Sequence, residues 1–368
     1  MKLLFFAPRF HTNQYEIIKG LKREHKVSFH AIFKGKTEDY SHIKPKIIKQ
    51  SALSVYLQKI LGIKNRILIY FPNIKKYFLL LKKEKPDFII LRVYGKVYPY
   101  IIGLICKFLK IKIIFYDQYF INLNHLRKKN LLNYLKKFEI FFRCYLFKSI
   151  TFSPIKSKKV FKNIIYLPFV SNVKKNKKIT LNKRKKILIV SKFQTRKNLI
   201  FSFDVLESLM KLFDFEVTYV GEVSNDEHRM IYNLLKKKIN ISFYKKKFRL
   251  LKNINFNKMN KIYQNKDIFL LPANNEPASV SILEAMANGL IVICSDSCAT
   301  RTYLPNLGQN IFKSNDKKNL KESLKFYLQK NKDFLRYKKA NYKFCLKNYT
   351  FESYYKILLR IFRFYEKR

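Results

Sequence analysis

Two acids and three bases in the second half of the chain have the types and spacing to handle an activated sugar. Glu276 and Glu284 stand in EPASVSILEAMANGLIVICSD, residues 276–296, and Lys192, Arg196 and Lys197 in SKFQTRKN, residues 191–198. Pro277 suits a first helical position, and Ser279 and Ser281 suit caps. The stretch therefore predicts a helix over 279–289 whose free N–H groups form an anion site. On such a helix the two carboxylates stand on the order of 10 Å apart. A diphosphate fits between them, one acid meeting sugar hydroxyls and the other ribose hydroxyls. Glu284 shares a side of the helix with Val280 and Ala287, where a carboxylate is costly unless partnered. Cations in SKFQTRKN would neutralise the charge that grows on a diphosphate leaving group. The same residues also fit an amphipathic helix with solvated acids and a solvated basic loop, and spacing leaves both accounts open.

Elements must bring these loops to one edge, and the pattern supplies them. KLLFFAP (2–8) reads as a strand, 13–24 as a helix and 25–33 as a strand; a Lys-rich, loosely patterned region runs to about 80. Strands follow over 86–95 and 111–118 with a helix between them, then a basic aromatic helix over 127–148 and a strand over 149–154. The pattern breaks at 166–185, the expected linker, where Pro168, Asn residues and Lys runs gather. It restarts with strands over 186–191, 215–222, 239–245, 267–273 and 290–296 and helices over 198–213, 227–238 and 279–289. The chain then ends in helices, the last over 349–368. Continuous apolar strands alternating with helices argue parallel sheets covered on both faces. The expected fold class is α/β: two doubly wound, Rossmann-like domains facing each other across a cleft at the carboxyl ends of their strands.

At 368 residues with 34 Phe, the chain can build more than one core. The net charge of +53 suggests nucleic acid or an anionic surface. It is spread evenly, however, and only 15 of the 77 basic residues are Arg, the residue that phosphate and base readout favour. No recognised nucleic-acid motif appears, so no nucleic-acid partner is expected. The excess of Lys, Ile, Phe and Tyr matches the codons of an AT-rich genome, with attraction to an anionic membrane surface superimposed on it. Cys106, Cys144, Cys294, Cys298 and Cys345 lack metal-ligand spacing and read as reduced, mostly buried thiols. MKLLFFAPRFH is too short in its apolar run for a signal peptide, and VYPYIIGLIC (97–106) too short for a membrane span. A soluble or peripheral cytoplasmic protein is expected. The helix over 127–148 is basic and aromatic enough to lie on a membrane, although a covering helix of the first sheet fits it better.

The motif E-P-x-x-x-x-x-x-E-A-M-A-x-G before an apolar strand resembles the signature of retaining GT-B glycosyltransferases of the family-four group (glycosyl transferases group 1), usually close to EPFGLVALEAMACGTPVV. SKFQTRKN is similar to that family's G-R-L-x-x-x-K-G, FEVTYVGE (215–222) to its strand ending in Val-Gly, and DIFLLPANNEP (267–277) to its Asp-x-x-x-x-Pro-Ser-x-x-Glu-Pro. The resemblance is specific over 186–296 and follows only the order of elements over 1–165.

It implies a GT-B fold: an acceptor domain over 1–165, a donor domain over 186–345 and a terminal helix, 346–368, packing back on the first domain. It also implies a nucleoside diphosphate sugar as donor, a carbohydrate or lipid-linked acceptor, no cofactor and no metal. The lack of an Asp-x-Asp triplet agrees. Glu276 would contact the donor sugar and support an oxocarbenium-like transition state. Glu284 would bind the ribose, and Lys197 and Lys192 the diphosphate. The backbone at Ala278, Ser279 and Val280 would complete the phosphate cradle, with Arg196 adding charge. His11 stands near the family's missing glycine pair, and Asp117 or Gln118 where its pocket His is usual. Ala278 and Ser279 replace the usual Phe-Gly, Ser191 a Gly and Asn198 a Gly. The expected role is sugar transfer with retention in cell-surface polysaccharide or glycolipid synthesis, peripheral on the inner face of the cytoplasmic membrane. The alternatives are an epimerase or hydrolase of the same fold, or a basic surface-binding or nucleic-acid-binding scaffold.

Overall fold

The computed structural model describes residues 1–35, 38–63, 67–93, 97–118, 131–154, 156, 164–175, 177–305, 310–329 and 333–367. Strands with no polar face are buried on both sides, and the sheets follow from that. In β1 (Lys2–Ala7) everything from Leu3 on is buried, and β4 (Phe88–Arg92) is buried throughout. With β2 (Lys26–Ala31), β3 (Lys46–Ile47), β5 (Lys112–Tyr116), β6 (Ile150–Ser153) and β7 (Ile164–Tyr166) they make a sheet of order β3-β2-β1-β4-β5-β6-β7. Every pairing is parallel.

The second sheet has the order β10-β9-β8-β11-β12-β13 and is parallel too. Its strands are β8 (Lys185–Val190), β9 (Phe215–Gly221), β10 (Phe248–Lys252), β11 (Ile268–Leu271), β12 (Ile291–Ser295) and β13 (Ile311–Phe312). Both sheets reverse direction beside their first strand, the doubly wound arrangement.

Helices connect the strands: α1 (Thr12–Glu24), α2 (Ala52–Ile60), α3 (Ile74–Glu84), α4 (Tyr98–Phe108) and α5 (Leu131–Leu146) in the first half. The second half has α6 (Leu199–Leu209), α7 (Asp226–Ile241), α8 (Phe256–Gln264), α9 (Ser281–Ala287), α10 (Lys317–Leu328), α11 (Phe334–Asn348) and α12 (Phe351–Glu366). Two units result, Met1–Phe169 with Tyr354–Arg368, and Val170–Ser353. In the first unit Tyr365 of α12 accepts a hydrogen bond from Ile150 N at 2.8 Å and donates to the Ile113 carbonyl. In the second, the described residues of 170–184 form no helix or strand, yet Lys338 Nζ reaches both the Thr180 carbonyl, 2.9 Å, and the buried Asp267, 2.7 Å.

Several sequence expectations change. INISFYK is no strand: α7 runs on to Ile241, because Ile231, Leu235 and Ile239 recur four apart and all face the core. The strand is Phe248–Lys252 instead. The loosely patterned region holds α2 and α3, started by Ser51 and Asn73 side chains that accept from Ser54 N and Lys76 N. The 279–289 helix is only Ser281–Ala287, so Pro277 lies in the loop before it and not in its first turn. All five cysteines are buried and unbridged. Among the described residues, no helix is long and apolar enough to cross a membrane.

Candidate active site

β8 and β11 are neighbours where the second sheet reverses, and the loops leaving their carboxyl ends meet there. After β8, Thr195–Lys197 makes one turn of 3-10 helix, closed by Asn198 at φ +51°. That left-handed conformation suits Gly or Asn, which explains why Asn198 serves where Gly is usual. After β11, Asn274 N donates to the Arg196 carbonyl at 2.7 Å, tying one loop to the other. Glu276 follows, pairs through its backbone with Cys298, and accepts at its carbonyl from Ala299 N at 2.8 Å.

These bonds bury the Glu276 side chain beside two cations. Arg196 Nη1 lies 2.8 Å from its Oε2, and Lys197 Nζ bonds the same oxygen. Ala278 N donates to Oε1 at 3.4 Å. Glu276 is 6% exposed and Lys197 7%. Burial pushes the Glu276 carboxyl up, but Lys197 and Arg196 outweigh it and hold the group below the usual carboxylate range. One carboxylate thus faces two cations, Lys197 buried and Arg196 exposed to solvent, with Glu227 also acting on Arg196; burial lowers the Lys197 pKa and Glu276 opposes that shift.

The other expected residues find other partners. Lys192 Nζ lies 2.7 Å from Glu222 Oε2, at the end of β9. Gly221 makes that approach of β8 and β9 possible, since a Cβ there would collide with the Ser191 carbonyl oxygen and the Phe193 ring. Glu284, on α9, accepts from Tyr263 of α8 at 2.8 Å, the partner its semi-buried carboxylate needs. Burial first, and then Glu284 itself, keep that phenol protonated. Ser279 Oγ pairs with Ser281 Oγ at 2.7 Å, and the Val280 carbonyl accepts from Glu284 N at 3.1 Å. His11 and Asp117 belong to the first unit, each beside an arginine: His11 Nε2 accepts from Arg9 Nε at 3.4 Å, and Asp117 Oδ2 lies 3.5 Å from Arg143 Nη2.

Sequence reasoning missed Glu222, Tyr263 and His228. Glu222 closes FEVTYVGE, whose final acid offered a signal beside a basic loop. Tyr263 had none, because its approach to Glu284 depends on how α8 packs. His228 is buried in α7; its Nδ1 accepts from Ser224 N at 3.3 Å. Burial, followed by repulsion from Lys192, lowers its pKa. Among the described residues, no three His, Cys, Asp or Glu side chains converge as a metal site would require.

Residues 171–344, within the second unit, match the family model for glycosyl transferases group 1. No curated protein matches the chain. A glycosyltransferase of known structure from Rickettsia africae is 16% identical with a TM-score of 0.75, covering 98% of this chain and 97% of its own. HepE of Anabaena, solved with UDP-glucose, is 9% identical with a TM-score of 0.73 and full coverage of both chains. Sucrose-phosphate synthase of Thermosynechococcus elongatus is 13% identical with a TM-score of 0.65, covering 100% of this chain and 98% of its own. At such identities the likeness establishes the GT-B fold.

Proposed function

We propose that the protein is a glycosyltransferase that moves a sugar from a nucleoside diphosphate to an acceptor hydroxyl with retention. The observation that carries this reading is the buried carboxylate of Glu276 between exposed Arg196 and buried Lys197, at the sheet's reversal point. The bond from the anomeric carbon to the phosphate oxygen breaks, and its electron pair leaves with the nucleoside diphosphate. Lys197, Arg196 and Lys192 meet that charge, while Glu276 supports the sugar's developing positive charge. The acceptor oxygen bonds the anomeric carbon from the face the diphosphate leaves, and its proton passes to the departing phosphate oxygen, which gives retention. Glu284 holds the ribose hydroxyls, and backbone groups of Ala278–Val280 line the phosphates. With three cations for the leaving group, the reaction runs without a resident metal. His11 and Asp117 contact the acceptor. That acceptor is a carbohydrate or lipid-linked molecule of cell-surface polysaccharide or glycolipid synthesis, met at the inner face of the cytoplasmic membrane.

The test offers purified protein a panel of nucleoside diphosphate sugars, with and without membrane extract, and measures nucleoside diphosphate release. One donor should give extract-dependent release that survives EDTA and falls about 10²-fold or more in folded Glu276→Ala and Lys197→Ala variants. Turnover without extract would indicate hydrolysis or epimerisation instead. Equal release by wild type and both variants would sink the reading.

A further inference from the structure

The helices α3, α4 and α5 form one layer on the first sheet. Phe78 of α3 meets Phe108 of α4 with ring centroids 5.7 Å apart. Tyr100 of α4 donates to Glu139 of α5 at 3.4 Å, and Lys107 Nζ reaches the Leu146 carbonyl at 3.0 Å. Gly103 allows the fit, since a Cβ there would press on the Phe147 ring.

The inner side of α5 does what a covering helix should: Ile140, Cys144 and Phe147 beyond its end are buried. Its outer side is also apolar, which covering the sheet does not require. Phe138 is 64% exposed, Phe141 61% and Tyr145 76%, and Phe108 on α4 is 78% exposed. The rings pair on the surface, Phe138 stacking with Phe142 and Phe141 with Tyr145. Exposed aromatics this concentrated mark an interaction surface.

The charges say what covers it. Exposed Lys107, Lys110 and Lys148 sit at the carboxyl ends of α4 and α5. The only acids on the three helices are Glu84 and Glu139, and both are engaged, Glu84 by His30 and Lys46 and Glu139 by Arg143 and Tyr100. Aromatic rings flanked by lysines, with no free acid among them, match the boundary layer of an anionic bilayer, where rings settle at headgroup depth and ammonium groups meet lipid phosphates. A protein partner would leave those lysines facing a surface of unstated charge.

We propose that the outer face of α4 and α5 is where this protein lies on an anionic membrane, with Phe108, Phe138, Phe141 and Tyr145 as the inserted groups. The proposal rests on the glycolipid part of the functional reading only for why a membrane matters. Binding is read without turnover, so either can fail while the other stands.

The chain contains no tryptophan, so Phe141→Trp carries a single reporter. With vesicles of neutral and anionic phospholipid, its emission should shift to the blue and be quenched by lipids brominated in the acyl chain. Phe243→Trp, at a 91% exposed site of the second unit, should show neither. In co-sedimentation, the full chain with Phe138→Ser, Phe141→Ser and Tyr145→Ser should bind anionic vesicles at least tenfold more weakly than wild type. Equal binding by that variant would show that diffuse charge alone holds the protein, and overturn the proposal. So would a Phe141→Trp emission that brominated lipid leaves unquenched, or a wild-type dimer that the triple variant converts to monomer.

Discussion

Lys192 is held by Glu222 at 2.7 Å, whereas its loop neighbours Arg196 and Lys197 both turn to Glu276. One basic loop is thus split between two acids, one at the end of β9 and one after β11. In the proposed reaction, Lys192 exchanges Glu222 for the diphosphate. Glu222→Gln should therefore lower the donor KM about two- to fivefold, the range of a partly exposed ion pair, while Lys192→Ala raises it. Initial rates against donor concentration check this; a raised KM in Glu222→Gln would mean that the acid positions the lysine instead.

Tyr263→Phe removes the hydroxyl that partners Glu284. The loss should cost about 1–2 kcal/mol in urea unfolding and weaken nucleoside diphosphate binding by calorimetry. Unchanged affinity would separate Glu284 from the nucleotide.

Gly221→Ala places a methyl group against the Ser191 carbonyl at the root of the basic loop. Overpacking of this kind costs about 1–3 kcal/mol. The melting temperature should fall, and activity with it, because the strand end that launches Lys192 and Lys197 shifts. Asn198→Gly, which keeps the left-handed turn, should leave both nearly unchanged.

Lys338→Met removes the cation paired with Asp267, a fully buried acid left with only the neutral donors Asn182 Nδ2 and Lys186 N. Removing one partner of a buried pair costs about 3–5 kcal/mol. The denaturation midpoint should drop accordingly, with the double variant Lys338→Met, Asp267→Leu recovering part of the loss.

His228 titrates below the usual histidine value because it is buried and faces Lys192. A depressed histidine binds fewer protons folded than unfolded, so its contribution is present above the unfolded value of about 6.5 and is lost as pH falls below it. Between neutral and mildly acidic pH, wild type should lose more stability than His228→Asn. His25 is depressed by its own burial and contributes equally to both proteins, so the difference isolates His228. Parallel stability curves would rule the effect out.

Strands with no polar face, such as FIILR and IVICS, were legible because burial on both sides leaves only one reading. The INISFYK error shows the limit: Ile239 and Ile241 carry strand propensity, yet Ile231, Leu235 and Ile239 share a helical face, and packing decided. In the site, Glu276, Arg196 and Lys197 were legible as types in adjoining loops. That Arg196 and Lys197 both grip Glu276, while Lys192 goes to Glu222, depends on side-chain geometry that sequence does not carry. The 279–289 helix was overextended because Pro277 and Ser279 are good capping residues, whereas the chain spends 277–280 as a loop behind Glu276.

The hydroxyl of Tyr365 satisfies both Ile150 N and the Ile113 carbonyl, in strands made more than two hundred residues earlier. During synthesis those two backbone groups lack this partner until the whole of Val170–Ser353 has been made. A stretch that follows the second unit completes a part that precedes it, so the second unit has its full sequence available for folding sooner. A released chain truncated before Tyr354 should hold a protease-resistant second unit and a first unit more susceptible than in the full chain.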